Sequence, residues 1–264
     1  MAEQLWNDTN VDASKWQYYR ARSAAREMIQ GSVNEQYSKL WEYYAKIKRM
    51  NPDSSVIIKC STAAGGANPR FQRLYICVCA LKKGWKEGYR PILGLDGCFI
   101  KGYHVGQLLT AVGVDPNNQI YPVAYALVES ECKETWLWFL ELLGVDLELN
   151  NSHGIVWITN KQKGLIDAIR EMFPHSEHRF CVKHFYNNFK APHRGLMLKQ
   201  LLWGAAKSTT KQGFTQFMER LRIESEATYL WLADKDPLHW SRAFFKTLLS
   251  VTCYAITCVK PSTQ

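Results

Sequence analysis

Along the first fifty positions apolar residues recur at helical spacing. Ala21, Ala24, Ala25 and Met28 stand at i, i+3, i+4 and i+7, and Gly31 suits a helix stop. Ser32-Val33-Asn34-Glu35 is a capping-box sequence. It opens a second helix with Tyr37, Leu40, Trp41 and Tyr44 on its apolar face, which Asn51-Pro52 closes. The pattern then shortens to strands. Ser55–Cys60 is rich in β-branched residues, and Phe71–Leu81 follows an Ala-Gly-Gly-Ala-Asn-Pro turn region.

From Arg90 onward the pattern predicts strands at Pro91–Ile100, Gly106–Asp115 and Gln119–Glu129. Asp115-Pro116-Asn117-Asn118 is turn chemistry, so the second and third of these form a hairpin. A helix follows, with Trp136, Phe139, Leu140 and Leu143 on one face. Then come a strand over Gly154–Thr159, a helix over Lys161–Phe173, and a short strand over Glu177–Val182. The remainder is mostly helical, with Phe214, Phe217, Met218 and Leu221 as its clearest face. Three hairpin-connected strands followed by helical crossovers predict a mixed α/β sheet whose later strands are parallel. This is the strand order of a ribonuclease H-like sheet, although periodicity alone leaves flavodoxin-like and other α/β folds open. The chain divides into residues 1–90, a helical pair and strand hairpin, and residues 91–264, a five-stranded core with a helical C-terminal part.

Composition narrows the classes. The 264 residues are 47% hydrophobic and 22% charged, which excludes disorder as the main state. No run of eighteen apolar residues predicts a membrane span, and the first ten residues do not read as a signal peptide. The eight Cys are too sparse for a disulfide scaffold and read as thiols in a reducing compartment. Charge is uneven. Residues 1–90 hold 15 Lys and Arg against 8 Asp and Glu, residues 91–160 hold 2 against 8, and residues 161–264 hold 16 against 8. An acidic centre between basic flanks suits polyanion binding, and so does ordinary charge fluctuation. Arg20, Arg22, Arg26, Lys46, Lys48 and Arg49 on the first helices likewise read either as phosphate contacts or as a wet helix face.

Candidate chemistry centres on Asp96, at the end of the apolar run Leu93-Gly94-Leu95-Asp96-Gly97. A carboxylate among glycines suits a metal ligand near a phosphate, or a plain turn. The corresponding position after the fourth core strand, in Trp157-Ile158-Thr159-Asn160, is an amide. Cys77 and Cys79 face one side of a strand and read as buried small residues.

The segment GLDGCFIKGYHVGQLLTAVGVDPNNQIYPVAYALVESECKETWLWFLELL, followed by WITNKQKGLIDAI and EHRFCVKHFYNNFK, resembles plant Mutator-like element (MULE) transposases. The similarity runs from about Ala13 to Phe245, from AREMIQGSVNEQYSKLWEYY to HWSRAFF. It implies a ribonuclease H-like core with an acidic triad of the DDE type, holding two Mg²⁺ or Mn²⁺ ions for phosphodiester cleavage and strand transfer. Asp96 matches the first acidic position. Asn160 stands where the family carries Asp. At an effective dielectric of about 20, losing that charge forfeits many kcal/mol of attraction to a dication, so cleavage is expected to be impaired. For the third carboxylate two readings stand: Glu224, about 70° from the centre of the apolar face around Phe214 and preferred to Glu219 at about 150°, or none, since Thr215 stands where the family often carries Glu.

Cys181-x-x-His184 resembles the family's CxxH signature, with two readings: half of a zinc site, with His178 nearby, or a packed hydrogen-bonded pair. Arg179, Lys183, Lys190 and Arg194, interleaved with Phe185, Tyr186 and Phe189, read as a DNA-backbone surface, the aromatics serving equally well as core. The resemblance implies DNA as partner, self-association, no membrane, and a nuclear location. Residues after the HWSRAFF-like segment depart from the family, so the chain reads as a truncated transposase remnant. Two functions are expected: a DNA-binding transposase derivative with defective catalysis, or a domesticated transcriptional regulator resembling the far-red-response type.

Overall fold

A computed structural model describes residues 14–31, 33–61, 69–88, 90–100, 106–117, 119–149 and 152–245. The turn residue Asn118, Ser32 of the expected capping box and the departing C-terminal segment lie outside these residues. Contacts divide the chain into two compact units after Pro52.

The first unit holds α1 (Lys15–Gln30), α2 (Val33–Ser38) and α3 (Leu40–Met50). Ser14 caps α1: its hydroxyl accepts from Gln17 N–H, and Gln17 Oε1 accepts from Ser14 N–H at 2.8 Å. Gly31 ends it at φ 77°, a conformation that costs glycine little. The second expected helix is divided at Lys39, where Ser38 Oγ donates back to Glu35 O at 2.7 Å and competes with the helix ladder.

The second unit is built on one sheet of seven strands, two more than expected: β1 (Ser55–Ser61), β2 (Arg70–Cys77), β3 (Ile92–Phe99), β4 (Gln107–Val114), β5 (Ile120–Val128), β6 (Val156–Thr159) and β7 (Glu177–Phe180). Their order is β1-β2-β5-β4-β3-β6-β7. The early hairpin is therefore part of the main sheet, since β2 pairs antiparallel with β5. The strands β3, β4 and β5 form an antiparallel meander, and β6 and β7 add in parallel to β3. The parallel pairing follows from the helical crossovers, because α5 (Lys133–Leu147) and α6 (Lys163–Met172) return the chain to the same end of the sheet.

One expected strand is corrected. Phe71–Leu81 stops at Cys77, and Cys79 begins helix α4 (Cys79–Gly88), so the two cysteines do not share a strand face. Burial of Trp85 anchors this helix, and apolar contact outweighs the alternation that suggested a longer strand.

The main core lies where α5 and α6 cover one sheet face. Trp136, Phe139, Leu140 and Leu143 of α5 and Leu165, Ala168 and Ile169 of α6 pack on Leu93, Leu95, Leu109 and Trp157. Each fully buried large side chain contributes about 1.5–3 kcal/mol. A buried polar knot ties α4 and α5 to the hairpin: Asp146 accepts from Tyr75 Oη at 2.8 Å and from Lys82 Nζ at 3.2 Å. Burial raises the Tyr75 phenol far above its usual range and pushes the Cys77 thiol up to about 12.

A second core belongs to the C-terminal helices α7 (Val182–Phe189), α8 (Leu196–Lys207), α9 (Lys211–Glu224) and α10 (Glu226–Ala233). Two 3₁₀ turns, Pro237–His239 and Arg242–Phe244, follow and place Trp240 in this core, stacked on Phe185 with ring centroids 5.1 Å apart.

Candidate functional site

The register of the parallel pair builds the site. Leu95 of β3 stands opposite Thr159 of β6, so the next residue of each chain, Asp96 and Asn160, falls side by side. Asn160 Nδ2 donates to Asp96 Oδ1 at 3.3 Å. The other end of the amide is also used, since Asn160 Oδ1 accepts from Gln162 N–H at 2.9 Å and fixes the turn into α6. Gln162 then caps α6 by accepting from Leu165 N–H.

Strand alternation separates the neighbours of Asp96. Ile92, on the same face as Asp96, packs in the small cluster with Val156, Ile158 and Cys181, whereas Leu93 and Leu95 face α5. Gly97 shares the α5 face, and there it meets Glu131. A Cβ at Gly97 would lie 2.7–2.9 Å from the Glu131 carboxyl group, so glycine is what lets this acid approach the strand. Trp136 Nε1 donates to Glu131 Oε1 at 3.3 Å. Burial holds the Glu131 carboxyl above its usual range; the Trp136 hydrogen bond opposes the rise and the charge of Asp96 adds to it. Burial, then Asp96 and Glu131, also raise the Cys98 thiol. Glu131 was not foreseen from the sequence. Its signal was an acid placed directly before a crossover helix that passes over the central strand.

The remaining candidates fall in different places. Glu224 ends α9 on an exposed surface and makes no hydrogen bond or ion pair with Asp96 or Asn160 among the described residues. Cys181 is buried and begins α7. Its hydrogen bond with His184 raises the imidazole's pKa; burial opposes this and Asp96 adds to it. His178 turns to Thr159 Oγ1 at 2.8 Å, and burial pushes it down to about 4. Among the described residues no three His, Cys, Asp or Glu side chains are grouped to hold a metal. Cys181 and His184 stand as a hydrogen-bonded pair at the start of α7.

The basic run is corrected at Arg179. It is 3% exposed, and its guanidinium donates to Glu177 at 2.6 Å, to Ser241 O at 2.9 Å and to Phe244 O at 2.6 Å. It clamps the second 3₁₀ turn to β7. Alternation along β7 turned this residue inward, and its charge concealed that. Lys183 is half-buried, Lys190 and Arg194 are exposed, and Phe185 and Phe189 are buried in the helical core.

Asp96 and Asn160 do not fit a two-cation site. Only one of the pair is anionic, the amide nitrogen faces it, and the amide oxygen already accepts a backbone N–H. A hard divalent cation needs anionic oxygen converging on it.

Residues 92–188, from β3 through most of α7, match the MULE transposase domain. Protein FAR-RED IMPAIRED RESPONSE 1 of Arabidopsis thaliana is 22% identical over 167 residues, which is 61% of this chain and 19% of that protein. The chain thus spans about a fifth of the length of this relative. No described helix is long and apolar enough to cross a membrane. From the strand bearing Asp96 to the helix after Cys181, the polypeptide is similar to a MULE transposase domain.

Proposed function

We propose that the chain is a transposase-derived DNA-binding protein whose ribonuclease H-like core no longer performs two-metal phosphodiester cleavage. The strand order β5-β4-β3-β6-β7, antiparallel then parallel, supports the ribonuclease H-like reading. The observation that carries the loss of chemistry is the Asn160 amide donating to Asp96 where a second carboxylate is required. Divalent cations supply water activation and leaving-group stabilisation in such enzymes. Here the pair is closed by its own hydrogen bond, and the chain's residues serve as a scaffold. Lys190 and Arg194, exposed beside the helical core, are the groups for DNA phosphates, and the nucleus is the place of action.

The similarity to a far-red-response protein favours a second reading, a transcriptional regulator that keeps the core without catalysis. Both readings predict DNA binding without cleavage. The test is a strand-cleavage assay with Mn²⁺ on duplex DNA beside an anisotropy titration. Binding that weakens with salt, with no nicking, is expected. Nicking abolished by Asp96→Ala overturns the loss of chemistry, and absence of binding at low salt overturns the DNA reading.

A further inference from the structure

A cavity of about 110 Å³ opens between the end of β7, the first turn of α7, α8 and the two 3₁₀ turns. Ile158 of β6 is among its lining residues. Its walls combine two chemistries. Phe180, Trp203 and Trp240 supply aromatic surface, while Lys183, Lys207 and Arg242 supply positive charge, and among the described residues no Asp or Glu lines it. Lys207 Nζ lies 5.5 Å from the centroid of the Trp203 ring, so charge and ring are held together on one helix end.

The volume is too small for a peptide helix and lies below the roughly 150 Å³ of an engineered cavity that encloses a benzene ring, so it admits the edge of a flat ring while the rest stays in the open mouth. An apolar, half-open slot walled by rings takes a flat ring, and the cations around it take an anion tethered to that ring. A nucleotide within a single strand carries both, whereas a duplex keeps its bases stacked out of reach. We infer that this cavity receives one nucleotide of single-stranded DNA, its base against Trp203 and its phosphate near Lys183, Lys207 and Arg242. The inference rests on the DNA-binding reading and adds to it a strand preference and a place.

The test uses the full chain with a fluorescent oligothymidylate and a duplex of equal length. Single-strand binding tighter than duplex binding is expected. Trp203→Leu and Lys207→Gln should each weaken single-strand binding about fivefold or more, with duplex affinity changed much less. Photo-crosslinking with 5-iodouracil-substituted oligothymidylate should label the peptide carrying Trp203. Circular dichroism and a cooperative melt establish that each variant is folded, and the crosslink on the natural chain is independent of both variants. Equal affinity for both strand forms, unchanged affinity in both folded variants, or crosslinks confined to residues 14–50 overturns the cavity assignment while leaving DNA binding in place. Failure to bind either form overturns both.

Discussion

Asn160 hydrogen-bonds Asp96 through its amide nitrogen, at 3.3 Å, across the parallel pair β3–β6. The contact replaces the repulsion that two carboxylates would have at this spot. Asn160→Asp should restore that repulsion and destabilise the cation-free chain by about 1 kcal/mol, a fall in Tm of about 2–4 °C. Millimolar Mn²⁺ should raise the melting temperature of the variant and leave that of the natural chain unmoved. Equal Mn²⁺ responses in the two chains would contradict the assignment.

Arg179 is an internal clamp. Arg179→Met leaves Glu177 and two carbonyls without their donor and should cost about 3–5 kcal/mol in urea unfolding. Lys190→Gln and Arg194→Gln, both on the surface, should leave stability within about 0.5 kcal/mol. Each should instead lower DNA affinity and flatten its salt dependence. A charge-neutral Arg179 variant as stable as the natural chain would refute the clamp.

His178 makes stability depend on acidity. Its folded-state pKa, about 4, lies below the ordinary 6.5 because burial disfavours the imidazolium, with His239 and Arg170 adding repulsion. The unfolded chain therefore takes up the proton first as pH falls. The stabilisation is complete above about 6.5 and is lost progressively down to about 4, amounting to about 2–3 kcal/mol. His178→Gln should flatten the stability–pH curve in that window. A parallel curve for the variant would show that another group governs it.

Asp146 holds the hairpin to the helical layer through Tyr75 and Lys82. Asp146→Ala strands a half-buried ammonium and a buried phenol and should cost about 3–5 kcal/mol. Asp146→Asn keeps an acceptor for Tyr75 and should recover part of it. Equal unfolding midpoints for the two variants would mean that the phenol contributes nothing.

Much of this was legible beforehand. The meander over residues 92–128 follows from turn chemistry at Asp115-Pro116, and the meeting of Asp96 and Asn160 follows from parallel pairing of the strands that precede them. What escaped depended on tertiary contact. The helix at Cys79–Gly88 owes its form to Trp85 finding the core, a choice that local alternation does not encode. The charge of Arg179 suggests surface, whereas Glu177 of the same strand and the carbonyls of Ser241 and Phe244 hold it inside. Glu131 was invisible because β5 is two strands away from β3, and only the crossover into α5 carries it back over Gly97.

The hairpin that joined the main sheet has a protective role. Without it β5, nine residues long, would be an open rim able to template a neighbouring chain. The border shifts instead to β1, where a bulge after Lys59 and the exposed lysine itself discourage pairing. At the opposite border β7 is only four residues long. Both margins of the sheet are thus blunted against fibrillar growth, so a chain lacking residues 53–88 should be lost to insoluble assembly sooner than to unfolding.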